Sequence, residues 1–244
     1  MVIFPGLTED IRSYEVRAFA HGLAESRRAV TLSLGSNAIG IPGAKDTSTR
    51  LSAASDRLEM LRTHCSQTPL VLIGRSMGCM AIVDVLNENL KAKSPIDIQQ
   101  VVLVAPALVD PSRTTDLMLR RFLPQLVRDT ARELIRYAPR ELAAHIGRLG
   151  ILGSRIAHDK ANILHQAQLL LQGTSDSTIE RVASSYPTHV IVGRRDSVGE
   201  INMWENLTAA HPHITLSTLE NHGHEVLFMP DRAAAKVCKD LWRL

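Results

Sequence analysis

Apolar residues recur in two rhythms along the 244-residue chain. Short apolar runs, rich in β-branched side chains and bounded by Gly, Pro, Ser or Asp, predict strands over 2–4, 29–34, 70–73, 101–105, 189–193 and 214–219. Between them the apolar positions fall at helical spacing. One helix is predicted over 8–28, with Thr8 at its cap, Glu9 and Asp10 in its first turn, and Ile11, Phe19, Ala20 and Leu23 toward the core. A second, over 48–65, buries Leu51, Ala54, Leu58 and Leu61. A third, from Met77 to Leu86, is apolar enough to be a buried helix, and further helices are predicted over 199–210 and 230–242. Strands alternating with helices imply right-handed crossovers. The expected fold class is therefore α/β, a mostly parallel, doubly wound six-stranded sheet covered on both faces.

That alternation stops once. From Asp110 to Gly173 there is no strand signal, and Leu119, Phe122, Leu123, Leu126, Val127, Ala131, Leu134 and Ile135 keep a 3.6-residue period. Pro124 kinks or splits this helix, Pro139 starts another, and Gly173 sits where a helix from residue 154 would end. The expected organisation is a core made of 1–110 and 174–244, with 111–173 as an all-helical cap. Open α/β sheets bind ligands at the C-terminal edge of their strands, which is where such a cap would lie. A helical decoration without a role at the site is the plain alternative.

The stretch that turns pattern into chemistry is 70–80, where a buried strand passes through Gly74-Arg75-Ser76-Met77-Gly78 into a buried helix. A reversal this sharp strains the turning residue and brings strand and helix backbones together, so positions two away on either side must lack side chains. Gly74 and Gly78 meet that demand. Ser76 then stands at the tip of the turn, at the positive end of the helix, with the Met77 N–H pointing the same way. Without its strand and helix, Gly-x-Ser-x-Gly would be a common turn with a bystander serine.

Bulk properties narrow the class. A net charge of +3 and only 4% aromatic residues give no basic-aromatic stripe for nucleic acid. No run of 18 apolar residues predicts a membrane span. Cys65, Cys79 and Cys238 lack metal or redox spacing, and the first residues lack a signal-peptide pattern, so a cytoplasmic location is expected. Cys79, inside the elbow helix, reads as packing. Charge is unevenly spread: residues 111–160 hold ten Lys and Arg against five Asp and Glu, leaving the remainder of the chain at −2. Arg128, Arg132 and Arg136 line one helix face, where Asp129 and Glu133 can pair with them; by default this is a solvated face. A basic cap would also steer anionic substrates, such as coenzyme A or carrier conjugates.

A serine hydroxyl needs an adjacent base to act as a nucleophile. His224, in Asn221-His222-Gly223-His224-Glu225, follows the 214–219 strand and so reaches the sheet edge that Ser76 occupies. His222 is its rival. The imidazole in turn needs an acid to fix its tautomer. Asp196 follows the 189–193 strand, and Asp110, after the 101–105 strand, is a substitute. Alternatively Asp196 is an exposed turn residue paired with Arg194 or Arg195. His222-x-His224-Glu225 could suggest a metal, but no third and fourth ligands appear at motif spacing, so no metal is expected.

With Ser76, Asp196 and His224 in that order, each past a different strand, the sequence resembles the α/β-hydrolase family over almost its whole length. Gly74-Arg75-Ser76-Met77-Gly78 is similar to that family's nucleophile elbow, Asp196 to its acid position, and Gly223-His224 to its histidine loop. The resemblance implies a trimmed sheet, since the 2–4 strand corresponds to the family's third and its first two have no counterpart. It also implies an oxyanion hole made by the N–H groups of Met77 and of Leu7, or of Thr8 because Pro5 stands where many members have His. The function expected is a serine hydrolase of esters or thioesters with an apolar acyl group, without a cofactor, acting through a Ser76–His224–Asp196 triad. Activity would fall on acidification, because imidazolium cannot accept a proton. The same set serves lactone or C–C hydrolysis and acyl transfer, and a hydrolase-like ligand sensor is a reading from another class. The oligomeric state is not legible.

Overall fold

The structure, a computed structural model, describes residues 1–4, 6, 17, 20–21, 32–33, 47–65, 69–108, 172–196, 198, 201–220 and 223–224. All six predicted strands are present: β1 (Val2–Phe4), β2 (Leu32–Ser33), β3 (Leu70–Arg75), β4 (Ile98–Val104), β5 (Thr188–Gly193) and β6 (Ile214–Leu219). They form one sheet in the order β2-β1-β3-β4-β5-β6, and every pairing is parallel. The direction of progression reverses between β1 and β3. Doubly wound sheets open a crevice at such a switch point, at the carboxyl ends of the strands.

The four helices whose bounds are described are α1 (Thr47–Cys65), α2 (Met77–Lys91), α3 (Asp176–Ser185) and α4 (Ile201–Ala210). Ala54, Leu58 and Leu61 of α1 are buried as their spacing predicts. Of the predicted 8–28 helix, Arg17, Ala20 and His21 are described and helical. The 230–242 helix, Asp110, and all of the expected cap except Gln172 and Gly173 lie outside the described residues.

Strand alternation divides the core. Phe4, Leu72, Val101, Leu103, Val190 and Val192 join α2 in one apolar cluster. Their odd-numbered or even-numbered neighbours Ile3, Ile73, Val102, Val104 and Ile191 stand outside that cluster yet are equally buried, so they form the second covered face. α2 is the centre of the first: eleven of its residues are buried, including Met80, Ile82 and Leu86. Each large apolar side chain so buried contributes about 1.5–3 kcal/mol before entropy is charged against it. Asn89 fastens the end of α2: its Nδ2 donates to Ile96 O and Tyr186 Oη, both at 3.1 Å, and its Oδ1 accepts from Ile96 N–H at 2.8 Å.

Some boundaries differ from the pattern-based ones. β4 starts three residues earlier than predicted, because Leu70 pairs with Ile98 across a register irregularity and carries Gln99 and Gln100 into the ladder. α3 was absent from the predicted elements. Its signals are Ser175, whose Oγ accepts from Thr178 N–H at 3.3 Å, Asp176 in the first turn, and buried Ile179, Val182 and Ala183 on one face.

Candidate active site

β3 runs through Gly74 and Arg75 and stops at Ser76, and α2 begins one residue later. Ser76 has φ 50° and ψ −118°, the positive-φ conformation a one-residue reversal demands. The requirement for glycine is explicit at Gly74. A Cβ there would lie 2.8 Å from the Cys79 Cα and 2.9 Å from its N, a collision with helix backbone. Ser76 occupies the N-cap position of α2 but makes no side-chain cap bond. Its carbonyl accepts from Cys79 N–H at 3.0 Å, while its hydroxyl stays free for another use. Met77, wholly buried, carries an N–H of the first helical turn, which has no acceptor within the helix.

That other use is His224. Ser76 Oγ lies 2.9 Å from His224 Nε2, and His224 Nδ1 lies 3.0 Å from Asp196 Oδ2. All three residues are buried, with the Asp196 side chain 1% exposed. Asp196 is held from its other oxygen, since Val198 N–H donates to Oδ1 at 2.8 Å. An ionised carboxylate only accepts, so Nδ1 carries the imidazole proton toward Asp196. Nε2 is then left with a lone pair for the Ser76 hydroxyl proton. Chemically, this relay can remove a proton from Ser76 Oγ as it attacks and return it to a leaving group.

The parallel register explains why residues so far apart in sequence meet. Arg75 pairs with Val104, Val104 with Ile191, and Gly193 with Leu219, so the chain after β3, β5 and β6 emerges along one sheet edge. The two loops that carry Asp196 and His224 are also tied together. Arg194 N–H donates to Leu219 O at 3.1 Å, and Arg194 Nε lies 2.7 Å from Glu220 Oε1. The glutamate raises the Arg194 pKa by hydrogen bond and charge. The alternative of an exposed turn aspartate paired with Arg194 or Arg195 fails on exposure, since Asp196 is buried and meets His224, and Arg194 reaches instead to Leu219 and Glu220.

The family can be read from the whole chain as well. The family model described as the alpha/beta hydrolase family matches residues 1–237. The chain belongs to the α/β-hydrolase family. No curated protein sequence matches it. Among solved structures, this α/β hydrolase is similar to a thermophilic esterase from Thermogutta terrifontis, with 16% identity, 99% of this chain and 89% of that one covered, and a TM-score of 0.62. It is similar to the enol-lactonase of Burkholderia xenovorans, with 16% identity, 98% and 88% covered, and a TM-score of 0.64. A membrane phospholipase A, described as a bacterial virulence factor, shares 20% identity over 98% and 77% of the two chains, with a TM-score of 0.68. At these identities the likeness is one of fold.

Of the residues the sequence singled out, Ser76, His224, Asp196 and Met77 come together. Leu7, Thr8, His222 and Asp110 lie outside the described residues. Cys79 is wholly buried, as expected of packing, and burial pushes its thiol pKa up, so it stays protonated. One buried basic side chain beside the site is not announced by the apolar pattern: Arg75 is 1% exposed although it stands next to Ser76. Its place at the end of β3, two residues after buried Ile73 and so on the same face, was the available signal. No helix among the described residues is long and apolar enough to cross a membrane.

Proposed function

We propose that the protein is a serine hydrolase that cleaves carboxylic esters or thioesters through an acyl-enzyme. The observation that carries this reading is the pair of contacts at 2.9 and 3.0 Å that link Ser76 Oγ to His224 and His224 to Asp196. Ser76 Oγ attacks the carbonyl carbon while His224 Nε2 takes its proton. The tetrahedral oxyanion is held by the Met77 N–H and by a second N–H from the loop after β1, with Leu7 as the donor. Collapse expels the alcohol or thiol, which receives the proton from His224. Water then repeats the sequence on the acyl-enzyme and frees the acid. Each oxyanion donor contributes about 3 kcal/mol to the transition state. Asp196 fixes the tautomer and stabilises the imidazolium.

The loop donor is supported by register: Phe4 pairs with Gly74, so the chain that leaves β1 starts beside the elbow. Segment 111–173 is assigned as a helical cap, and its positive excess favours an anionic or coenzyme A-linked substrate with an apolar acyl group. The proposed site of action is the cytoplasm.

The test is a panel of p-nitrophenyl esters, acyl thioesters and a lactone, graded in acyl length and assayed with the wild type and Ser76→Ala. Turnover of an ester or thioester that falls by at least about 10⁴-fold in Ser76→Ala supports the reading. A folded wild type inert toward the whole panel, or a Ser76→Ala variant as active as the wild type, overturns it. A coenzyme A thioester whose turnover is no more salt-sensitive than that of a neutral ester removes the anionic-substrate element alone.

A further inference from the structure

Two non-glycine residues in the described structure have positive φ, Ser76 and Ala105. The first is explained by the elbow. The second is not, since Ala105 lies on the neighbouring strand end and carries no reactive group. An alanine in the left-handed region is disfavoured by its Cβ, so the surrounding structure must over-determine it. What holds it there is visible. Ala105 N–H donates to Ile191 O at 2.7 Å, which anchors it to β5, and the residue is wholly buried.

The consequence of that turn falls on Ser76. Ser76 N–H donates to Val104 O at 2.9 Å, a bond that continues the β3–β4 ladder. Past Val104 an extended strand would carry the chain straight on, away from the elbow. The left-handed residue at 105, followed by Pro106 with its fixed φ, turns it back instead. Ala107 N–H then donates to Ser76 O at 3.3 Å. The strand end beside the elbow therefore grips both backbone polar groups of Ser76, N–H from Val104 and C=O from Ala107. The helix contributes only the Cys79 N–H on the same carbonyl.

We propose that Ala105 and Ala107 are positioning residues for the nucleophile, a second elbow on β4 that fixes the peptide planes on either side of Ser76. The inference rests on the reading of Ser76 as nucleophile. Ser76 Oγ hangs on a backbone held in a sparsely populated conformation, and its 2.9 Å approach to His224 depends on that backbone staying there. The strand and helix alone leave Ser76 O with a single amide donor. The clamp adds the second, from the turn that follows β4.

The test starts with the native protein. Amide hydrogen exchange is expected to show Ala107 N–H protected along with Ser76 N–H, although Ala107 lies beyond the end of β4. Exchange of Ala107 at the rate of an open loop overturns the proposal. Ala107→Pro removes that one donor, and Ala107→Gly keeps it. In Ala107→Pro the Ser76 amide is expected to exchange about tenfold faster or more, with the amides of 82–91 unchanged. Its rate of phosphonylation by a fluorophosphonate and its kcat fall about 10–100-fold at near-constant KM, and Ala107→Gly restores them. Ala105→Val, barred from positive φ by β-branching, behaves like Ala107→Pro, while Ala105→Gly does not. Faster exchange without loss of phosphonylation rate overturns the positioning role. A wild type that is unreactive toward the probe, with the exchange effects intact, sinks the hydrolase reading and leaves the backbone clamp standing.

Discussion

Ser76 and His224, the proposed nucleophile and base, are held by opposite kinds of structure. Ser76 stands on β3 and α2, where the elbow residues from Leu72 to Leu86 are buried throughout, and its geometry is imposed by apolar packing and backbone contact. Asp196 and His224 follow β5 and β6 at the sheet's margin. β6 is the last strand of the sheet, and after Ile214 its residues are exposed or half-buried. There the fastening among the described residues is polar and includes the Val198 amide on Asp196 Oδ1, the backbone bond from Arg194 to Leu219, and the exposed Arg194–Glu220 pair. In the proposed mechanism the rigid half fixes where the reaction happens. The polar half has to bring a proton acceptor to that place.

This contrast predicts a ranking of effects. The largest falls on the buried carboxylate of the polar half, Asp196. Asp196→Asn keeps the shape but offers Nδ1 of His224 a group that can donate as well as accept, so the tautomer is no longer fixed. A kcat about 10³–10⁴-fold lower with little change in thermal stability is expected, measured on the best ester of the panel. A loss below tenfold would mean that the carboxylate is incidental to the chemistry.

Next comes the rigid half. Gly74→Ala drives a Cβ into the backbone of Cys79, which cannot swing aside as a side chain would. A stability loss of about 1–3 kcal/mol in denaturant titration is expected, with activity lost alongside because the helix and Ser76 move together. Gly74→Ala with unchanged stability would show that strand and helix do not approach as closely as described.

The smallest effect belongs to the exposed tie. Glu220→Gln removes the charge that faces Arg194, and such surface pairs are weak and salt-screened. A kcat reduction of no more than about threefold, vanishing at high salt, is expected. A larger, salt-independent loss would move the fastening of the base from the Arg194–Leu219 backbone bond to the ion pair.

The rigid half was the more legible in the sequence, and the reason is physical. Gly74 and Gly78 around Ser76 are local marks of a local constraint, and the apolar run after Ser76 states its burial outright. The six strands were readable because both faces of a parallel sheet are apolar. α3 was overlooked because Asp176, Ser177 and Thr178 open it with turn-forming residues. Its three buried positions do not fill a long stripe. Ala105 left no mark at all: alanine rarely takes positive φ, and its amide is held by Ile191 O, distant in sequence. The Arg194–Glu220 pair was not legible for a similar reason. Sequence proximity offers Asp196 only as an alternative partner of Arg194 or Arg195, whereas the register of Gly193 with Leu219 sets Glu220 opposite Arg194.

The central claim, that Ser76, His224 and Asp196 work as one relay, is tested most directly by a fluorophosphonate probe with the labelled peptide mapped by mass spectrometry. The account predicts stoichiometric labelling of Ser76 in the wild type and almost none in a folded His224→Ala variant. Labelling of Ser76 at an undiminished rate in that variant, or no labelling of the folded wild type, would contradict it.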